Sequence, residues 1–175
     1  MICLKNGTYS KTVITAVFSA IIIVCSFITV PAPVPFTLQT LGVFLAAGLL
    51  PTGSAVLSVL VYIMLGAVGL PVFSGMRGGI GYLFGQTGGY IFGFLALVVI
   101  AKLVLRGGKR LLIPALFLGL LGCYFMGSLW FMLYTGADSY AEVLTGAVLP
   151  FVLPDIAKLI LSVVIINRIG DRLWN

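Results

Sequence analysis

The chain has no histidine, and its 175 residues include ten Lys or Arg and four Asp or Glu. Without imidazole there is no His-centred triad and none of the usual zinc ligand sets. Cys3, Cys25 and Cys123 are scattered and form no CxxC pair, so they read as small apolar residues. No G-x-x-x-x-G-K-[ST] loop occurs, and ATP hydrolysis by this chain alone is not expected. With no nucleophile beside a base, an enzyme is not expected either. Nothing in the composition calls for a cofactor or a metal.

The scarcest commodity is charge. Charged residues make up 8% of the chain, against about a quarter in a soluble domain. Hydrophobic residues make up 61%, with mean hydropathy +1.24. A soluble fold of this length cannot bury that much apolar surface. The composition predicts an all-α integral membrane protein, one domain over residues 1–175, with about 20 residues for each span. The net charge of +6 is spread over loops and tails, without the aromatic interleaving of a nucleic-acid face.

Breakers divide the chain into six apolar segments. The first runs from about Val13 to Val30 and stops at Pro31-Ala32-Pro33-Val34-Pro35. It lacks a small-residue cleavage site and reads as a retained span. Segment two, near Leu38 to Leu50, is short, and segment three covers about Ser54 to Leu70. After a glycine-rich stretch from Pro71 to Gly89, segment four reaches about Leu105 and segment five runs from Leu111 to Tyr134. Segment six lies between Leu144 and Ile166, interrupted by Pro150 and Pro154. Six spans put both termini on one side. Eight Lys/Arg then share that side, leaving Arg77 on the other, so both termini are expected in the cytoplasm. The glycosylation match Asn6-Gly7-Thr8 would face the cytoplasm too.

Small residues recur at a spacing of four: Gly85, Gly89 and Gly93, then Gly119, Cys123 and Gly127, then Ala16 and Ala20. Such stripes let helices approach closely in lipid. Packing within the chain is expected for the first two sets. For Ala16 and Ala20, packing and an intermolecular face both fit.

Chemistry concentrates in segment six. Asp155 and Lys158 are three residues apart and share a helix face. Ionisable residues at such depth pair with each other or line a cavity or transport path. Pro154 either starts or kinks the helix beside them. The Pro71–Gly89 stretch is read as an extracellular cap, with glycines giving a ligand access to backbone N–H groups and Arg77 attracting an anion, the alternative being a flexible outer loop. Gln39 and Thr40 add polar groups at the outer end of segment two. Tyr90, Trp130 and Tyr134 either wall the site or anchor the interface. Together these suit a small cyclic ligand carrying both N–H and C=O groups.

In this order the residues resemble the BioY family, the biotin-binding S components of energy-coupling-factor transporters. The resemblance rests on Thr37-Leu38-Gln39-Thr40-Leu41-Gly42-Val43, Gly69-Leu70-Pro71-Val72-Phe73-Ser74-Gly75, Thr87-Gly88-Gly89-Tyr90, and Leu149-Pro150-Phe151 followed by Asp155-x-x-Lys158. It covers almost the whole chain, departing from the family pattern at Gln86 and Pro154. It implies a six-helix, multi-pass protein of the bacterial cell membrane that binds biotin from outside. Its partners would be a transmembrane coupling (T) protein and two ABC-type ATPases. The resemblance makes Asp155 an acceptor for ureido N–H and Lys158 a donor to the ureido oxygen. It places Gln39, Ser74, Arg77, Gly79 and Tyr90 around the ligand, with Ser74, Arg77 and the loop glycines toward the carboxylate. Ala16 and Ala20 match the alanine motif that docks the coupling partner. A different small vitamin, such as thiamine, is the alternative.

Overall fold

The computed structural model describes residues 8–30 and 36–173; Cys3, Lys5, Asn6, Gly7 and the Pro31–Pro35 turn lie outside the described residues. The order is α1 (Thr8–Phe27), β1 (Thr29–Val30), β2 (Phe36–Thr37), α2 (Gln39–Leu49), α3 (Thr52–Ala67), α4 (Ile80–Leu83), α5 (Gly88–Leu105), a 3₁₀ turn (Lys109–Leu111), α6 (Leu112–Thr135), α7 (Tyr140–Ala147) and α8 (Leu149–Leu173). Helix dominates as expected, with one exception. β1 and β2 form a two-residue antiparallel ladder, pairing Thr29 with Thr37 and Val30 with Phe36. Helix therefore ends earlier than the apolar run does. A residue before proline is pushed toward extended backbone, as Val30 is by Pro31, and Thr29 Oγ1 donates to the Ser26 carbonyl at 2.6 Å, closing the last turn.

α5, α6 with its leading 3₁₀ turn, and α8 are long and apolar enough to cross a membrane. α1, α2 and α3 are apolar but shorter. At 1.5 Å per residue, the 11 residues of α2 extend about 16 Å, half of a bilayer core. α2 stops at Leu50, ahead of Pro51, and the half-buried Lys102 donates to the Leu50 carbonyl. Lys102 thus closes a helix end.

α5 and α6 form the tightest pair in the bundle. A Cβ on Gly93 would stand 2.9 Å from Cys123 Sγ and 3.0 Å from its carbonyl, and one on Gly119 would meet the Leu97 carbonyl at 2.7 Å. These backbones touch because no side chain intervenes. Gly85 falls outside this stripe. It sits in the turn before α5, where its carbonyl accepts from Trp130 Nε1 at 3.0 Å. α6 ends on Gly136, whose φ of +65° is the left-handed conformation glycine adopts without strain.

Segment six does not break where its prolines suggest. The interruption falls at Val148, between α7 and α8, while Pro150 occupies the first turn of α8 and Pro154 lies inside it. Proline fits the first turn, where amides lack helical partners anyway. Pro154 has no amide hydrogen to donate to the Pro150 carbonyl, but α8 continues through it. One stripe of α8 is buried: Asp155, Lys158, Leu159, Ser162 and Ile166. The opposite stripe, Leu153, Ile160 and Val164 among it, is exposed. The charged pair therefore faces the bundle.

Candidate functional site

Helices α2, α3, α4, α5, α6 and α8 and the β2 strand surround a chamber with about 660 Å³ of empty space, its open mouth included. β2 contributes Phe36 and Thr37, α2 Gln39 and Thr40, and α3 Tyr62. α5 adds Tyr90, Ile91 and Phe94; α6 adds Leu120, Cys123 and Tyr124; α8 adds Phe151, Asp155 and Lys158. Ser74, Tyr82 and Thr87 reach it from the glycine-rich stretch.

Asp155 and Lys158 are each only 5% exposed, and Lys158 Nζ lies 2.7 Å from Asp155 Oδ1. Tyr124 donates its hydroxyl to Asp155 Oδ2 at 2.6 Å. The carboxylate is thus held at both oxygens, by groups on α6 and α8. Lys158 also donates to the Thr37 carbonyl at 2.6 Å and places its ammonium 4.0 Å from the centre of the Phe36 ring. Phe36 stacks on Phe151, with centroids 6.4 Å apart. The ammonium is therefore occupied on three sides by the protein itself. Burial of a charge is tolerated when it is paired and hydrogen-bonded, and here both members are.

The glycine-rich stretch is a folded element. Phe73 and Arg77 pair through their backbones, with N–H to O distances of 2.8 and 3.4 Å, around Gly75 and Met76 at positive φ. The Phe73 ring is fully buried between Tyr62 and Tyr82, each 5.4 Å away. It rests on Gly66, where a Cβ would come within 2.0 Å of the ring. Ser26 Oγ donates to the Val72 carbonyl at 2.6 Å, tying the stretch to α1.

Of the residues singled out in the sequence, Asp155, Lys158, Gln39, Ser74 and Tyr90 line the chamber. Arg77 and Gly79 do not line it. Arg77 is exposed, and Gly79, at φ +99°, donates its N–H to the Gly66 carbonyl at 2.7 Å, which commits that amide within the protein. Tyr90 Oη donates to the Ala147 carbonyl at 2.7 Å, joining α5 to the end of α7. Trp130 packs between Phe84 and Phe92, and Tyr134 is exposed. Ala16 and Ala20 lie on the exposed face of α1 with Val13, Val17 and Val24. The other face, Thr15, Ser19, Ile22 and Ser26, is buried.

With this geometry in hand, comparison with known proteins is decisive. The sequence profile of the BioY family matches residues 4–174. This chain belongs to the BioY family. Among its relatives, a probable biotin transporter BioY from Pyrococcus horikoshii is 41% identical over 89% of this chain and 93% of its own length. The biotin transporter BioY of Thermotoga maritima is 37% identical over 87% of this chain and 91% of its own. The fold is similar to the crystal structure of the S-component for biotin from an ECF-type ABC transporter, with a TM-score of 0.87 and 27% identity. The likeness covers 95% of this chain and 94% of that one.

Sequence reasoning passed over Tyr124, Tyr62 and Phe36 in the chamber wall of this family member. The signal existed for the tyrosines. Each stands in the middle of an apolar helix, where a hydroxyl needs a partner or a ligand. Tyr124 also directly follows Cys123, in the stripe that packs α6 on α5. Phe36 and Thr37 precede α2 in sequence and reach α8 only through the fold.

Proposed function

We propose that this chain is the biotin-capturing S component of an energy-coupling-factor transporter, working as a multi-pass protein of the bacterial cell membrane. The observation that carries this reading is the buried Asp155–Lys158 pair in the chamber wall of a BioY-family chain. A carboxylate offers about four acceptor positions, and Asp155 spends one on Lys158 and one on Tyr124. The remainder suits the paired N–H groups of a cyclic urea. Lys158 holds the carboxylate in place. The apolar walls, Phe36, Phe94, Phe151 and Leu120, suit the fused ring and its chain.

In this reading α1, α2, α3, α5, α6 and α8 are the six spans, both termini are cytoplasmic, and the Pro71–Gly89 stretch caps the chamber from outside. Ser74, Gln39 and Tyr90 contact the ligand, Gly79 shapes the cap, and Arg77 draws the ligand's carboxylate toward the mouth. The exposed Ala16–Ala20 face of α1 receives the transmembrane coupling protein, which works with two ABC-type ATPases. A different vitamin such as thiamine finds no support, because the relatives named above are named for biotin.

The test is equilibrium binding of biotin to the purified chain and to Asp155→Asn and Lys158→Ala. Truncating one partner of a buried, hydrogen-bonded charge pair costs about 2–5 kcal/mol, so each variant should lose at least about tenfold. Wild-type protein without affinity, or variants that bind like wild type, would end the assignment.

A further inference from the structure

Two buried polar side chains meet in the chamber. Among the described residues, Gln39 Nε2 and Tyr62 Oη are the buried side-chain nitrogen and oxygen atoms that make no hydrogen bond of normal geometry, and the two side chains lie near enough to interact with each other. Both residues line the chamber, Gln39 at 4% and Tyr62 at 0% exposure. Buried polar groups are nearly always satisfied, and one left alone destabilises the fold. The Tyr62 ring is fixed edge-on against Phe73, 5.4 Å between centroids, so its hydroxyl stays with the chamber. Meanwhile the charged wall is already engaged: Lys158 donates to Asp155 and to the Thr37 carbonyl and faces Phe36.

We infer that Gln39 and Tyr62 form a neutral subsite that takes an uncharged carbonyl oxygen of the ligand, opposite in role to the N–H-accepting Asp155. The argument for an uncharged oxygen is electrostatic. Among the described residues, Lys158 is the one cation lining the chamber, and its ammonium is committed to the protein. A carboxylate placed against two neutral donors would lose its hydration without gaining a counter-charge. This inference rests on the biotin reading and assigns the ureido carbonyl to Gln39 and Tyr62, leaving the carboxylate to the mouth. It makes these two residues specificity determinants: a site built to hydrogen-bond an oxygen rejects an analogue that lacks it.

The test uses the purified full chain with Tyr62→Phe and Gln39→Leu. Three ligands are compared: biotin, the alcohol in which its carboxylate is reduced, and the cyclic thiourea in which C=S replaces the ureido C=O. Each variant should bind biotin about tenfold more weakly, and the alcohol weaker by the same factor. For the thiourea the factor should be clearly smaller, because sulfur accepts hydrogen bonds only weakly. The melting temperature of ligand-free Tyr62→Phe should change little, since that change keeps the ring and its packing on Phe73. A purely structural role would lower affinity and stability together. Variants that match a biotin-binding wild type overturn this inference alone. So does a penalty that disappears with the alcohol, or one that is undiminished with the thiourea. Wild-type protein that does not bind biotin overturns the biotin reading, and this inference with it.

Discussion

Replacing Lys158 by methionine removes an ammonium and keeps a side chain of similar length. Asp155 loses its 2.7 Å ion pair and keeps only the Tyr124 hydroxyl; the Thr37 carbonyl loses its 2.6 Å donor. Breaking a buried pair by deleting one member costs about 3–5 kcal/mol, because the other charge is left uncompensated. For a chain of this size that is a fall in melting temperature of about 6–20 °C. Adding Asp155→Asn removes the stranded charge. What then remains is mainly the unpaired Thr37 carbonyl, worth about 1–3 kcal/mol. The double variant should therefore recover about 2 kcal/mol over Lys158→Met alone. Biotin affinity should not recover, since the acceptor for its N–H groups has been lost as well. Thermal melts in detergent, read beside binding isotherms, separate the two effects. If the double variant melts no higher than the single, the residues do not neutralise each other. If it binds biotin like wild type, the pair is not the grip.

Four further outcomes follow from other contacts. Tyr124→Phe removes the 2.6 Å bond to Asp155, and a hydrogen bond to a charged group is worth about 1.5–3 kcal/mol, so affinity should fall about tenfold or more in titration calorimetry. Gly93→Leu forces a side chain into Cys123, already 2.9 Å from an added Cβ, and should destabilise by about 1–3 kcal/mol, whereas Gly53→Ala meets nothing within 4 Å and should be neutral or stabilising. Phe73→Ala removes the ring held between Tyr62 and Tyr82; a cost of about 3–5 kcal/mol is expected in thermal melts, together with faster ligand release in stopped-flow traces. Arg77→Ala, at an exposed position, should slow association at low salt and leave dissociation unchanged, and a faster off-rate would instead put Arg77 in contact with the ligand.

Hydropathy made the helical character legible, because lipid-facing and core-facing residues are both apolar and leave long uninterrupted runs. The same property hid the helix ends. Apolar content continues from α1 to Val30, but backbone geometry before Pro31 and the Thr29 side chain end the helix at Phe27. Pro154 read as an interruption, whereas the break fell at Val148, a residue with no turn signal of its own. In the site, Asp155 and Lys158 were legible because charge is so rare in this chain, and Gln39 because it opens a helix beside a marked motif. Tyr62 and Tyr124 were not. Their roles depend on which neighbours the bundle brings to each hydroxyl, and local sequence does not carry that. Arg77 and Gly79 stood out for their residue types, but one is exposed and the other spends its amide on Gly66.

The chamber divides its polar groups into two kinds, and the division matters for affinity. Asp155, Lys158, Tyr124 and the Thr37 carbonyl hold one another before any ligand arrives. A ligand meeting this pole finds acceptors already oriented, so little ordering cost falls on binding. Gln39 and Tyr62 are the opposite case: neither side chain is tied by a hydrogen bond of normal geometry to the charged pole. Their neutral N–H and O–H groups are what the second pole offers a ligand. A molecule offering N–H groups without a carbonyl uses only the first pole, and a simple carbonyl compound only the second. A cyclic urea uses both at once. On the proposed assignment, selectivity in so apolar a chamber comes from requiring donor and acceptor on one rigid ring, with the surrounding aromatic rings contributing affinity that any ligand of that size would share.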